Sequence, residues 1–241
     1  LLADKQRSIK PTSVLEVFGR IYKGSMPALV SGVYTDRNVF YSSYISTYID
    51  RDIKEISGSI DSLSFHKFIT SVAARTSQLL NIADIAKDAE INQITAKKWL
   101  GILETLGLIF YLYPFSNNTL KRTIKTPKLY FYDTGLASYL AKWSSAETLE
   151  AGAMNGAIFE NYVVSEMMKS YFNCARQPFI YYYRDKDARE IDLVMEEDGK
   201  LFPIEIKKSA NPASQLTGVF KLLDKSSLVR STGAIICMAN E

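Results

Sequence analysis

Three side chains late in the sequence have types and spacings suited to work on a phosphate. Asp192 stands in Glu190-Ile191-Asp192-Leu193-Val194, and Glu205 and Lys207 stand in Pro203-Ile204-Glu205-Ile206-Lys207. Both runs have the composition of strands, where side chains alternate between faces. Glu205 and Lys207 therefore share one side, Ile204 and Ile206 the other, and Asp192 shares a side with Glu190 and Val194. Asp198-Gly199 is a two-residue hairpin signal, and a hairpin through it brings Asp192 near Glu205. Two carboxylates that close repel by about 4 kcal/mol at an effective dielectric of about 20. A divalent cation removes that cost. Mg²⁺ favours few carboxylates, several waters and a phosphate oxygen, so Asp192 and Glu205 are its candidate ligands. Such an ion polarises a phosphate and acidifies its bound water. Lys207 is placed to orient that water or to offset charge on the pentavalent phosphorus. Glu160, upstream on a helix, adds a third acid. The same residues also read as a salt-bridged sheet surface, Glu205 with Lys207 or Arg189 and Asp192 with Arg184.

The elements that must position these residues fill residues 128–241, which read as α/β. Lys128 to Tyr132 is a strand, and Asp133-Thr134-Gly135 caps a short helix. Gly152 to Tyr171 is a long amphipathic helix. Phe179 to Tyr183, Glu190 to Glu196 and Leu201 to Lys207 are strands, Ala213 to Leu223 a helix, and Ala234 to Met238 a last strand. Residues 59–127 read as a winged helix-turn-helix. Helices are predicted over Ser64–Ser77, from Asn81, and over Gln93–Leu106, where Ala96, Trp99, Leu100, Leu103 and Leu106 recur at helical spacing. A strand at Leu108–Tyr113 is expected to return as Leu120–Ile124. Gln93, Lys97, Lys98, Lys121 and Arg122 are the candidate DNA-binding residues. Residues 1–58 read as helices with loops, the second carrying an apolar face of Phe40, Tyr44, Ile45, Tyr48 and Ile49. This segment is expected to pack on something else.

Composition bounds the alternatives. Nearly half the chain is hydrophobic, at 47%, with 23% charged, which suits a globular protein with real cores. No apolar run is long enough to span a bilayer, so no membrane partner is expected. With one histidine, His66, histidine-rich zinc sites and histidine-based triads are disfavoured. Cys174 and Cys237, far apart, read as buried thiols in a reducing cytosol. Residues 1–127 hold 16 Lys/Arg against 11 Asp/Glu, a basic excess that suits contact with phosphate.

Several phrases in order resemble a known family. They are Tyr48-Ile49-Asp50-Arg51-Asp52-Ile53, Pro127-Lys128-Leu129-Tyr130-Phe131-Tyr132-Asp133-Thr134-Gly135-Leu136 and Gly156-Ala157-Ile158-Phe159-Glu160. Tyr183-Arg184-Asp185-Lys186, Glu190-Ile191-Asp192 and Ile204-Glu205-Ile206-Lys207 follow. The chain is similar to the C-terminal region of prokaryotic AAA-type ATPases bearing the domain of unknown function numbered 4143. That resemblance implies an N-terminal P-loop ATPase module, a winged helix and a restriction-endonuclease-like domain of the PD-(D/E)XK type. It maps the acidic and lysine pattern onto Glu160, Asp192, Glu205 and Lys207. No Gly-x-x-x-x-Gly-Lys-Ser/Thr loop occurs in the sequence, so ATP would belong to a module outside it. The opening on Leu1-Leu2 reads as a fragment, with residues 1–58 the tail of that module and the module itself an expected partner.

Overall fold

The computed structural model describes residues 12–49, 51, 61–117, 126–212 and 214–238. It is a mixed α/β chain. Helix α1 (Val14–Lys23) starts at Ser13, whose side chain and that of Glu16 cap each other's backbone N–H. Such a reciprocal box satisfies two donors that a helix start leaves orphaned. A short α2 (Pro27–Val30) and α3 (Arg37–Tyr44) follow, and a π-helical turn (Ile45–Ile49) continues α3. The buried stripe of α3 is Arg37, Tyr41 and Ile45, with Phe40 and Tyr44 only partly covered, so the expected apolar face is shifted by a residue. Arg37 enters that stripe because its guanidinium lies 3.7 Å from the Tyr22 ring centre and donates to the Gly135 carbonyl and the Ser138 hydroxyl. The first segment does pack on something else, namely later helices of its own chain.

Three helices come next: α4 (Ser62–Ala73), α5 (Ile82–Asp88) and α6 (Gln93–Thr105). Asp61, Asn81 and Asn92 cap them, each accepting from backbone N–H groups of the first turn, as short polar side chains do at helix starts. Strand β1 (Ile109–Leu112) then pairs antiparallel with β2 (Lys128–Phe131), Ile109 opposite Phe131 and Leu112 opposite Lys128. The strand paired with β1 is thus one assigned to the following domain, and the expected return strand Leu120–Ile124 lies outside the described residues. The expected boundary between 127 and 128 therefore falls inside a sheet. Backbone bonds from Ser77, Gln78 and Leu80 hold the other edge of β2, which ties the helical region to the strand.

Asp133 caps α7 (Thr134–Leu140); α8 (Ala146–Ala151) and α9 (Asn155–Asn173) follow. The helix predicted over Gly152 to Tyr171 is α9, which starts at Asn155; Gly152 ends the separate α8 and packs under Trp143 with no room for a Cβ. A five-stranded sheet closes the chain. Strands β3 (Ile180–Arg184), β4 (Glu190–Glu197) and β5 (Lys200–Lys207) are antiparallel neighbours, and β6 (Val229–Arg230) and β7 (Ala234–Cys237) run parallel along the free edge of β5. Asp198 and Gly199 turn β4 into β5 with φ of 49° and 71°, the left-handed pair that the tightest hairpin needs. Residues Ser214–Lys225 form a 3₁₀ helix in place of the expected α-helix; Thr217-Gly218 at its centre are poor α-formers. Ile204 and Ile206 enter the main core. Ile191, Val194 and Leu201 form a smaller one with Phe220 and Leu223 of the 3₁₀ helix.

Candidate active site

The β4–β5 register sets Leu193 opposite Ile204, which leaves Asp192 beside Glu205. A bulge sharpens this placement. Between the pairs Tyr181–Val194 and Tyr183–Ile191, β4 contains one more residue than β3, so Asp192 and Leu193 together face Tyr182. Bulges re-aim side chains and gather near functional sites. The bulge also breaks the alternation expected from Glu190 onward, because Ile191 and Val194 end in the same small core.

Asp192 is 7% exposed and Glu205 3%. One oxygen of Asp192 accepts from the Ile206 backbone N–H and from Lys207 Nζ, both at 2.8 Å. Lys207 Nζ also lies 2.8 Å from Glu205 Oε2. The second oxygen of Glu205, Oε1, is buried with no hydrogen-bond partner. Burial lifts the Glu205 carboxyl to about 7, and the Asp192 charge adds to the lift against the pull of Lys207. Burial opposes the Lys207 ammonium, but its bonds to Asp192 and Glu205 outweigh that and hold its pKa above the usual lysine value. Of the expected salt bridges, the one between Glu205 and Lys207 forms. Arg184 instead meets Glu190, and Arg189 meets Asp185 and Asp187.

Glu160 is near but engaged. It accepts from Lys128 Nζ at 2.9 Å and from the Tyr130 hydroxyl at 2.6 Å. Lys128 Nζ also stands 2.5 Å from Glu190. Burial raises the Glu160 carboxyl; Lys128 draws it down and the charge of Asp192 pushes it up again. The neighbour Asn161 fixes this geometry. Its buried amide takes both the N–H and the carbonyl of Phe131, at 2.9 and 2.7 Å, so α9 cannot slide along β2.

Lys128, Tyr130 and Glu190 are site residues that sequence reasoning missed. A lysine inside an apolar strand, Lys128-Leu129-Tyr130-Phe131, was the available signal, since a buried charge needs a partner. Glu160, Glu190, Lys128 and Arg184 also line a cleft of about 640 Å³ whose other wall is Arg75 and residues 77–81.

Among the described residues no three His, Cys, Asp or Glu side chains are gathered as a metal site. The two carboxylates Asp192 and Glu205 nonetheless suit Mg²⁺, which takes one or two carboxylates and completes its shell with water and phosphate. The Glu205 oxygen without a hydrogen-bond partner is an atom such an ion could take. Gln93, Lys97 and Lys98 are exposed on α6; Lys121 and Arg122 lie outside the described residues. No described helix is long and apolar enough to cross a membrane. Cys174 and Cys237 are free thiols, but not the buried ones expected: Cys174 is exposed and Cys237 partly so.

These features define an α/β chain with a carboxylate–lysine cluster on a bulged hairpin. The chain belongs to the family described as Domain of unknown function (DUF8612), whose model matches residues 16–147, and residues 155–241 match Domain of unknown function (DUF4143). Lys128 and Tyr130 come from the first matched segment and the carboxylates from the second, so the cluster is shared between them. Similar curated proteins are Uncharacterized protein Rv2008c of Mycobacterium tuberculosis and Uncharacterized protein Mb2031c of Mycobacterium bovis. Each is 28% identical over 190 residues, covering 79% of this chain and 42% of the relative. The chain thus spans less than half the length of these relatives. No solved structure matches it.

Proposed function

We propose that the chain carries a Mg²⁺-dependent phosphodiester-hydrolysing centre of the restriction-endonuclease-like class, acting on DNA. The observation that carries this reading is the buried Asp192–Glu205 pair bridged by one lysine, with a Glu205 oxygen left without a partner. When bound, Mg²⁺ polarises the scissile phosphate and acidifies a water. Asp192 and Glu205 would hold it. Lys207 would give up one carboxylate and turn its ammonium to the attacking water or the developing phosphate charge. Glu160, tied by Lys128 and Tyr130, would act from the side, through its charge.

The helices α4–α6 followed by β1 and β2 support a winged-helix reading, in which α6 presents Gln93, Lys97 and Lys98 to DNA. The resemblance to ATPase C-terminal regions supports placing the centre in the service of an ATPase module of the full-length protein, with ATP bound there.

The test is cleavage of plasmid and single-stranded DNA by this chain with Mg²⁺ or Mn²⁺. Activity is expected in the wild type and absent in Asp192→Asn. Equal activity in both, or none with either metal, sinks the proposal. Salt-sensitive DNA binding without cleavage would favour the second reading, a non-catalytic nucleic-acid-binding module. The contact of Lys207 with one oxygen of each carboxylate supports that alternative.

A further inference from the structure

Lys128 is a buried cation held by two carboxylates. Its side chain is 5% exposed, with Nζ 2.9 Å from Glu160 and 2.5 Å from Glu190. Burial works against its ammonium, yet the two carboxylates keep its pKa above the usual lysine value. It is the centre of one of two charge clusters: Glu190 and Glu160 flank Lys128, and the Tyr130 hydroxyl caps Glu160. In the other, Lys207 joins Asp192 to Glu205, with Asp192 two residues along the same strand from Glu190.

Hydrolytic centres with two metals hold the ions about 3.5–4 Å apart and share carboxylates between them. Here the carboxylates divide into two pairs, and one pair already has a cation covalently attached to the fold. Glu160, Glu190, Asp192 and Glu205 carry four negative charges, and Lys128 and Lys207 return two. Counting Arg184 at the exposed rim of Glu190 reduces the excess to one. By either count the cluster accommodates one divalent ion, and a second would leave it strongly positive.

We infer that Lys128 is the resident cation of the Glu160–Glu190 pair, a positioning residue that limits the centre to a single divalent ion at Asp192 and Glu205. The inference rests on the reading of Asp192 and Glu205 as an ion site, and the measurement separates the two. Mn²⁺ bound per chain is counted by electron paramagnetic resonance of the free ion during titration, for the wild type and for Lys128→Met. One ion is expected in the wild type and one more in Lys128→Met, which empties a site between Glu160 and Glu190. The extra ion should vanish in Lys128→Met/Glu160→Gln.

The same count in wild type and Lys128→Met overturns the inference, as does a wild type that already holds two. No ion in the wild type with one in Lys128→Met would sink the Asp192–Glu205 site and leave the role of Lys128 standing. A packing role alone would lower stability without changing the count. Should Lys128→Met be unfolded in metal-free buffer, millimolar Mn²⁺ is expected to restore its circular dichroism where NaCl of equal ionic strength does not. Failure of Mn²⁺ to restore it also overturns the inference.

Discussion

Two carboxylates of this protein are buried to nearly the same degree and treated in opposite ways. Asp133 is 5% exposed and Glu205 3%. Asp133 accepts from the Tyr41 hydroxyl and the Leu136 N–H at 2.6 Å on one oxygen, and from the Ser25 N–H and hydroxyl at 2.6 and 3.1 Å on the other. All four donors are neutral, and three of them are fixed by backbone or ring. Glu205 has one lysine on one oxygen, nothing on the other, and a second carboxylate beside it. A fold that can satisfy Asp133 so fully had the means to satisfy Glu205. The difference separates a carboxylate used to hold α1 and α3 against α7 from one left short of partners, as the proposed ion site requires.

The largest effect should come from breaking the satisfied one. Asp133→Ala leaves the backbone N–H groups of Ser25 and Leu136 without their acceptor, takes from the buried Tyr41 hydroxyl its shorter bond, leaving the Lys23 carbonyl at 3.1 Å, and removes the cap of α7. Urea unfolding is expected to show a loss of about 3–5 kcal/mol. A loss under about 1 kcal/mol would mean that water replaces the carboxylate and that Asp133 is no keystone.

Glu205→Gln should move stability the other way. The unfolded carboxyl titrates near 4.5 and the folded one at about 7. Below the lower value both states hold the proton and the group costs nothing. As pH rises through that window the unfolded state ionises first, so the fold loses stability, and above about 7 the full cost is present. The neutral amide avoids it. Glu205→Gln is therefore expected to stabilise the chain by on the order of 1–3 kcal/mol at pH 8, less whatever Lys207 loses, and by nothing at pH 4. Melting temperatures at the two pH values read this directly. A destabilised variant at pH 8 would place Glu205 with Asp133, as a structural group.

The local half of this contrast was legible in the sequence. Asp133 before Thr134-Gly135 announces a cap, and Asp198-Gly199 announces a hairpin, because each depends on neighbours within a few residues. Glu205 and Lys207 share a face by simple alternation. What escaped depended on distant chain. The pairing of β1 with β2 joins strands separated by fifteen residues of chain. The bulge at Asp192–Leu193 arises only where β4 meets β3, and it sends Val194 into the same core as Ile191 against simple alternation. Lys128 was visible as a charge in an apolar strand, but its partners Glu160 and Glu190 lie 32 and 62 positions later. No local rule connects them. The same long-range pairing through Asn161 places Glu160 against Lys128 and Tyr130, so a helix acid expected to be free turns out to be held.

The smallest effect on the fold belongs to a third kind of charge, neither satisfied nor starved. On α6, Ala96, Trp99, Leu100 and Leu103 are buried, while Gln93, Lys97 and Lys98 face water. Among the described residues neither lysine forms an ion pair, so nothing in the fold depends on either. Replacing both by alanine should change unfolding free energy by no more than about 0.5 kcal/mol. Their effect should appear only with nucleic acid present. Each phosphate neutralised by a lysine contributes about 0.9 to the slope of log affinity against log salt. If α6 enters a groove of DNA as proposed, Lys97→Ala/Lys98→Ala should flatten that slope by roughly 2, while Gln93→Ala leaves it and alters preference among sequences. A slope unchanged in the double variant would take α6 out of DNA contact. The Asp192–Glu205 centre would then stand without the helix as its guide to substrate, leaving the cleft between Arg75 and Arg184 as the remaining approach to the charge cluster.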